Sequence, residues 1–146
     1  MKLRDDFPLP DLEWPPTRPF WQAAAEGRLA IPRCEMCGRY VWYPQATCYA
    51  CQGTRLTWTP VSGRGRLFTW VSVQRAFLPQ FAGEVPFVPA LVALAEDPAV
   101  RLVTRLVDYD LAALTIDMPV EVVFRPLRFP GVAREVMAPL FKPTRD

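Results

Sequence analysis

Cys34-Glu-Met-Cys37 and Cys48-Tyr-Ala-Cys51 contain every cysteine of this 146-residue chain, in two Cys-x2-Cys pairs ten residues apart. Each pair can present two thiolates to one ion from a tight turn. Gly38 follows the first pair directly and Gly53 lies two residues past the second, supplying the backbone freedom such turns need. A short hairpin over residues 39–47 would bring the turns together and complete a closed tetrahedral site, the pattern of structural zinc held by Cys34, Cys37, Cys48 and Cys51. The spacer is shorter than the ~15–20 residues usual for this motif, as in a compact zinc ribbon. Two disulfides or four unrelated thiols are the alternatives, and both fit the paired spacing poorly.

The same arrangement removes much chemistry. With every thiol engaged none is left as a nucleophile, and a four-thiolate zinc keeps no open position for water. The chain has no histidine, so the commonest general base is missing, and lysine occurs only at Lys2 and Lys142. Carboxylates, tyrosines and arginines remain. The expectation is a protein that binds, with no catalytic residue of its own.

Hydrophobic content of 51% argues against disorder, and seventeen prolines favour strands, turns and extended segments over long helices. The amino terminus lacks the apolar stretch of a signal peptide, and no run of eighteen apolar residues occurs. Thiols arranged for a metal then point to the cytoplasm. The net charge of +2 hides an uneven distribution. Residues 28–75 carry seven arginines (Arg28, Arg33, Arg39, Arg55, Arg64, Arg66, Arg75) against the single acid Glu35, while the segments on either side are each net −2. Arginine suits phosphate because its fork of donors matches the oxygens; the bland reading of this zone is a solvated surface.

Along the chain, residues 1–27 read as a proline-rich extended arm followed by a short helix. Thr17 is its N-cap, Pro19 lies in its first turn, Phe20 to Glu26 form its body, and Gly27 ends it. Residues 28–60 form the ribbon, entered by Leu29–Ile31 and left by Leu56–Trp58. Residues 61–146 read as β structure. Arg66 to Arg75 alternates, with Phe68 and Trp70 on one face and Val71 and Val73 on the other. Ala90–Ala95 is apolar on both faces, Val100 to Val107 and Val120–Phe124 alternate, and Glu135–Phe141 closes the series; Asp110–Leu114 is one helical turn. About five strands in ~80 residues fit a mainly β fold ending in a small Greek-key barrel of the OB type. The loop Leu78–Phe87 reads either as a contact surface or tunnel wall, or as Phe81 and Phe87 folding back to plug the barrel end.

Several stretches, in order, resemble the DUF35 family of acyl-CoA-associated OB-fold proteins with an amino-terminal rubredoxin-like zinc ribbon. They are Pro19-Phe20-Trp21, Gly27-Arg-Leu29, Cys34-x2-Cys37-Gly38, Pro44 ahead of Cys48-x2-Cys51, Val61-Ser-Gly-Arg-Gly65, Pro86-Phe87 and Met118-Pro-Val120-Glu-Val-Val-Phe124. The likeness spans roughly residues 17–125. One departure is Asp117, where the family usually has glycine; a left-handed turn tolerates aspartate. The resemblance implies a non-catalytic partner of a thiolase-fold enzyme, aldolase or MaoC-type hydratase acting on acyl-CoA thioesters, one that bridges subunits and helps bind or shield the acyl-CoA. On that reading Arg64 and Arg66 are candidates for the coenzyme phosphates, with Trp70, of the same strand parity, stacking nearby or simply packing in the barrel. Two other readings remain. Trp70, Phe68, Phe77 and Phe81 beside Arg64, Arg66 and Arg75 would suit single-stranded nucleic acid, though charge after residue 75 is net acidic. An iron-bearing electron carrier would leave the barrel unexplained.

Overall fold

A computed structural model of the chain describes residues 2–145. The predicted helix forms as α1, Arg18–Ala25, with Thr17 at its N-cap and a proline in its first turn, where a missing N–H costs nothing. Gly27, at φ 73°, turns the chain out of the helix. The turn leads straight into β1, Leu29–Cys34, which pairs antiparallel with β2, Leu56–Val61, as a two-stranded ribbon. The cysteine-bearing loop runs between them.

The remaining strands close a barrel. They are β3 (Arg64–Trp70), β4 (Val88–Leu94), β5 (Arg101–Leu106), β6 (Pro119–Leu127) and β7 (Val136–Pro143), in the order β3-β4-β5-β7-β6. This Greek-key barrel of five strands is the expected OB-fold. Alternation decides its interior: along β4 Val88, Ala90, Val92 and Leu94 are buried and the residues between them are half-buried. Leu67, Leu102, Leu106, Val120 and Phe141 meet them in one core that also takes in Phe20, Leu29 and Ile31 from the amino-terminal part. Closure depends on Gly65, which pairs with both Leu94 and Val120. A Cβ there would come within 2.5 Å of the Ala93 carbonyl oxygen, so the neighbouring backbone leaves no room for a side chain.

β5 and β7 are parallel neighbours joined by one residue pairing, Leu106 with Phe141. The Thr104 hydroxyl carries the seam further by donating to the Pro139 carbonyl at 3.0 Å. β7 is buried on both sides. Phe141 points into the core, while Ala138 and Leu140, of opposite parity, are buried where α1 packs against the strand.

Three expectations are corrected. The first barrel strand ends at Trp70 instead of running to Arg75, and Val73 makes only an isolated bridge to Phe87. Within it Leu67 pairs with Val92 and Thr69 with Leu91, so Phe68 is an extra, bulged residue. The bulge reverses parity: Arg64, Arg66 and Phe68 are exposed, while Trp70, opposite buried Ala90, packs against the core. Last, the proline-rich arm is a run of turns instead of extended chain. Leu9 is buried with Phe129 and Val136, and Arg134 pairs with Asp6 and donates to the Pro10 carbonyl at 3.0 Å. Among the described residues no helix is long and apolar enough to cross a membrane.

Candidate metal centre and its surroundings

Two matching turns build the thiolate site. The Gly38 N–H donates to the Cys34 carbonyl and the Gln52 N–H to the Cys48 carbonyl, each at 2.9 Å. Gly38 and Gln52 both take left-handed backbone angles, φ 78° and 60°. The second turn therefore reverses at Gln52, not at Gly53. Gly53 serves a different need. A Cβ there would lie 3.3 Å from the sulfurs of Cys34 and Cys51 and 3.2 Å from the Met36 sulfur, so its bare backbone makes room for the cluster. Arg33 braces the first turn by donating to the Gly38 carbonyl at 2.8 Å with its guanidinium over the Tyr40 ring.

All four Sγ atoms lie within 4.8 Å of one another, with Cys34–Cys51 at 3.5 Å and Cys37–Cys48 at 3.6 Å. A disulfide needs sulfurs ~2.05 Å apart, and all four cysteines are free. A tetrahedron with metal–sulfur bonds of ~2.3 Å has edges of about 3.8 Å, which these separations fit. Cys34 and Cys48 are buried; Cys37 and Cys51 face solvent.

Electrostatics favour a cation at this point. N–H groups of Cys51 and Ala50 hold the Cys48 thiol down to about 7, and those of Cys37 and Met36 lower Cys34 against the opposing effect of burial. Cys51 receives the Gly53 N–H, which lowers its pKa. The Cys34 thiol, burial and the thiols of Cys37 and Cys48 together outweigh that bond and push Cys51 up to about 11. Four sulfurs this close cannot all ionise without a positive charge among them.

The other predicted site residues are brought to three separate places. Arg64 lines a shallow polar recess with Pro119, Glu121 and Arg145. Arg66 donates to the Asp117 carbonyl at 3.2 Å, beside Phe68 and Arg101. Asp117 itself sits at φ 64°, the left-handed turn expected of it. Trp70 lies on the opposite face of β3 from both arginines, because of the bulge at Phe68. The aromatics of the nucleic-acid reading are equally dispersed. Phe68 lies beneath Arg101 at 4.0 Å, Phe81 packs on Phe87 and Phe129, and Phe77 projects into solvent at 89% exposure. Sequence reasoning missed Arg101 as the partner of Phe68, since no local signal joins residues 33 positions apart.

Fold and site together define a protein in which a rubredoxin-like zinc ribbon leads into an OB-fold barrel. Residues 21–57 match the ChsH2 rubredoxin-like zinc ribbon domain, and residues 58–125 match the ChsH2 C-terminal OB-fold domain. The chain belongs to the DUF35 family. It is similar to a solved chain described as "Ltp2-ChsH2(DUF35) aldolase", with 28% identity, a TM-score of 0.77, and coverage of 92% of this chain and 98% of that one. A DUF35-family protein of unknown function from Sulfolobus solfataricus shares the fold at TM-score 0.56 and 12% identity, over 75% of this chain and 78% of that one. The chain is also 32% identical, over 125 residues and 85% of its length, to a probable enoyl-CoA hydratase alpha subunit from Thermomonospora curvata. It spans 36% of that relative's length.

Proposed function

We propose that this chain is a non-catalytic subunit that assembles with an aldolase, thiolase-fold enzyme or hydratase acting on acyl-CoA thioesters, bridging subunits and helping to hold the acyl-CoA. The observation that carries this reading is its likeness, along nearly the whole of both chains, to the DUF35 chain of an aldolase. The absence of histidine from the sequence and the gathering of every cysteine into one cluster agree with a division of labour in which the partner performs the chemistry. One zinc ion per chain, bound by Cys34, Cys37, Cys48 and Cys51, is structural: it cross-links the two turns of the ribbon and exposes no open coordination site. Exposed apolar side chains, among them Val71, Phe77, Val103 and Tyr43, supply surface for the enzyme to cover.

Arg64 and Arg66 are the groups assigned to the coenzyme's phosphates. Trp70, facing inward, is assigned to packing. Co-purification of the tagged chain from its native cell tests the assembly: an acyl-CoA enzyme in stoichiometric amount is expected, and the chain alone is expected to show no thiolysis, hydration or retro-aldol turnover. Turnover by the isolated chain that survives removal of contaminants overturns the reading.

A further inference from the structure

An apolar cleft of about 460 Å³ opens beside the β5–β7 seam, on the outside of the barrel, with none of the cysteines in its lining. Its walls come from parts of the chain remote in sequence: Phe20 on α1, Trp42 in the ribbon, Phe81 and Phe87 in the β3–β4 connection, and Phe129 after β6. Ala138 and Leu140 of β7 line it as well. The rings brace one another, Phe20 against Trp42 at 5.3 Å, Phe81 against Phe87 at 5.9 Å and against Phe129 at 5.5 Å. A concavity held open this way is preformed, and its volume falls within the ~300–1,000 Å³ of small-molecule pockets.

One charged residue lines it, Arg105. Its guanidinium lies 5.0 Å from the centre of the Phe87 ring, and its Nη2 donates to Glu84 at 2.9 Å. The two side chains are only 27% and 25% exposed, so this pair is half desolvated. A guanidinium carries five N–H donors, and Glu84 engages one. A wholly apolar occupant would strip water from the others without replacing it, which is costly. An occupant with one oxygen acceptor at the end of an apolar body satisfies both the walls and Arg105.

We propose that this cleft binds the hydrocarbon part of an acyl compound, with its carbonyl or carboxylate oxygen on Arg105. That the compound is a thioester and not a free acid rests on the proposed function; the cleft and its arginine do not. The test is calorimetric titration of the zinc-loaded chain, without any enzyme partner, with decanoate, decanoyl-CoA and CoA. Binding of either decanoyl compound, with CoA alone at least tenfold weaker than decanoyl-CoA, supports the proposal. Tighter binding of decanoyl-CoA marks the thioester as the source, and tighter binding of decanoate marks the free acid. Arg105→Gln, and the double change with Glu84→Gln that leaves no bare carboxylate, are expected to weaken the decanoyl ligand roughly tenfold. Thr17→Phe places a ring at the rim in exchange for a hydroxyl that caps nothing, and should abolish binding while zinc content and melting temperature hold. Absence of binding by both decanoyl compounds, equal binding of CoA and decanoyl-CoA with none of decanoate, or full affinity in both the Thr17 and Arg105 variants overturns it. Because no enzyme is present, failure here leaves the assembly reading standing, and failure of co-purification leaves this one standing.

Discussion

The loop between β1 and β2 buries one small cluster, Cys34, Val41 and Cys48 with Leu56 against them, whereas the barrel strands bury Leu67, Val92, Leu102, Leu106, Val120 and Phe141 in a continuous interior. Burial on the scale of the barrel closes a fold by removing apolar surface from water. A loop of some twenty residues that buries only Val41 and Cys48 among its own side chains cannot offset its chain entropy in that way. It depends instead on a cross-link. Stability is therefore local in origin, and the two regions should fail under different insults.

The largest effect expected is metal removal. Stripping zinc with a chelator, or Cys48→Ser, should leave amides 34–55 exchanging with solvent at near-unfolded rates while barrel amides keep their protection. Unchanged exchange in that loop after verified zinc loss would mean that packing alone holds the ribbon. The reciprocal experiment is Phe141→Ala, which empties the centre of the barrel and should cost about 3–5 kcal/mol in denaturant unfolding. Zinc stoichiometry should stay at one per chain at low denaturant. Gly65→Ala sharpens the picture within the barrel. Its Cβ would press on the Ala93 carbonyl, and overpacking of this kind typically costs about 1–3 kcal/mol; a neutral result would show that the β3–β4 pairing can shift.

The smallest effect concerns the amino-terminal arm. Hydrogen bonds from Arg134 and then Arg4 lower the Asp6 carboxyl below its ordinary value of 3.8. A carboxyl with a depressed pKa in the folded state stabilises fully above the ordinary value and loses that effect as pH falls through the lower one. Amide exchange over residues 4–10, corrected for its intrinsic dependence on pH, should thus be flat from neutrality to about pH 5 and speed up in stronger acid. Arg134→Ala should speed it at every pH. An acid response that persists unchanged in Arg134→Ala would detach the effect from this pair.

Much of this was readable from the chain because the signals were local. Four cysteines at fixed spacing place two turns, a run apolar on both faces places β4, alternation places β5 and β6, and Asp117 suits its left-handed angle. What escaped depends on pairing. The extra residue at Phe68 leaves no compositional trace, because it exists only by comparison with the spacing of β4 across from it, and it alone separates Trp70 from Arg64 and Arg66. The arm was misread because proline restricts φ without choosing between extension and turns, and the anchor that bends the arm back, Arg134, is over a hundred residues away. Of the cleft only one wall could be read, the loop carrying Phe81 and Phe87, since its other walls meet it only after the ribbon, the helix and the barrel have come together.

β7 has an apolar face on each side, and only one of them belongs to the barrel. Its outer face, Ala138 and Leu140, is flanked by a helix that the chain lays down more than a hundred residues earlier, and helix and strand together wall the cleft. β7 is therefore sandwiched between the barrel and α1, a helix made over a hundred residues before it. During synthesis the helix must wait, uncovered, until β7 emerges, and any shortened form starting after Gly27 would display a greasy strand to its neighbours. Helix α1 is in this sense an internal chaperone for β7.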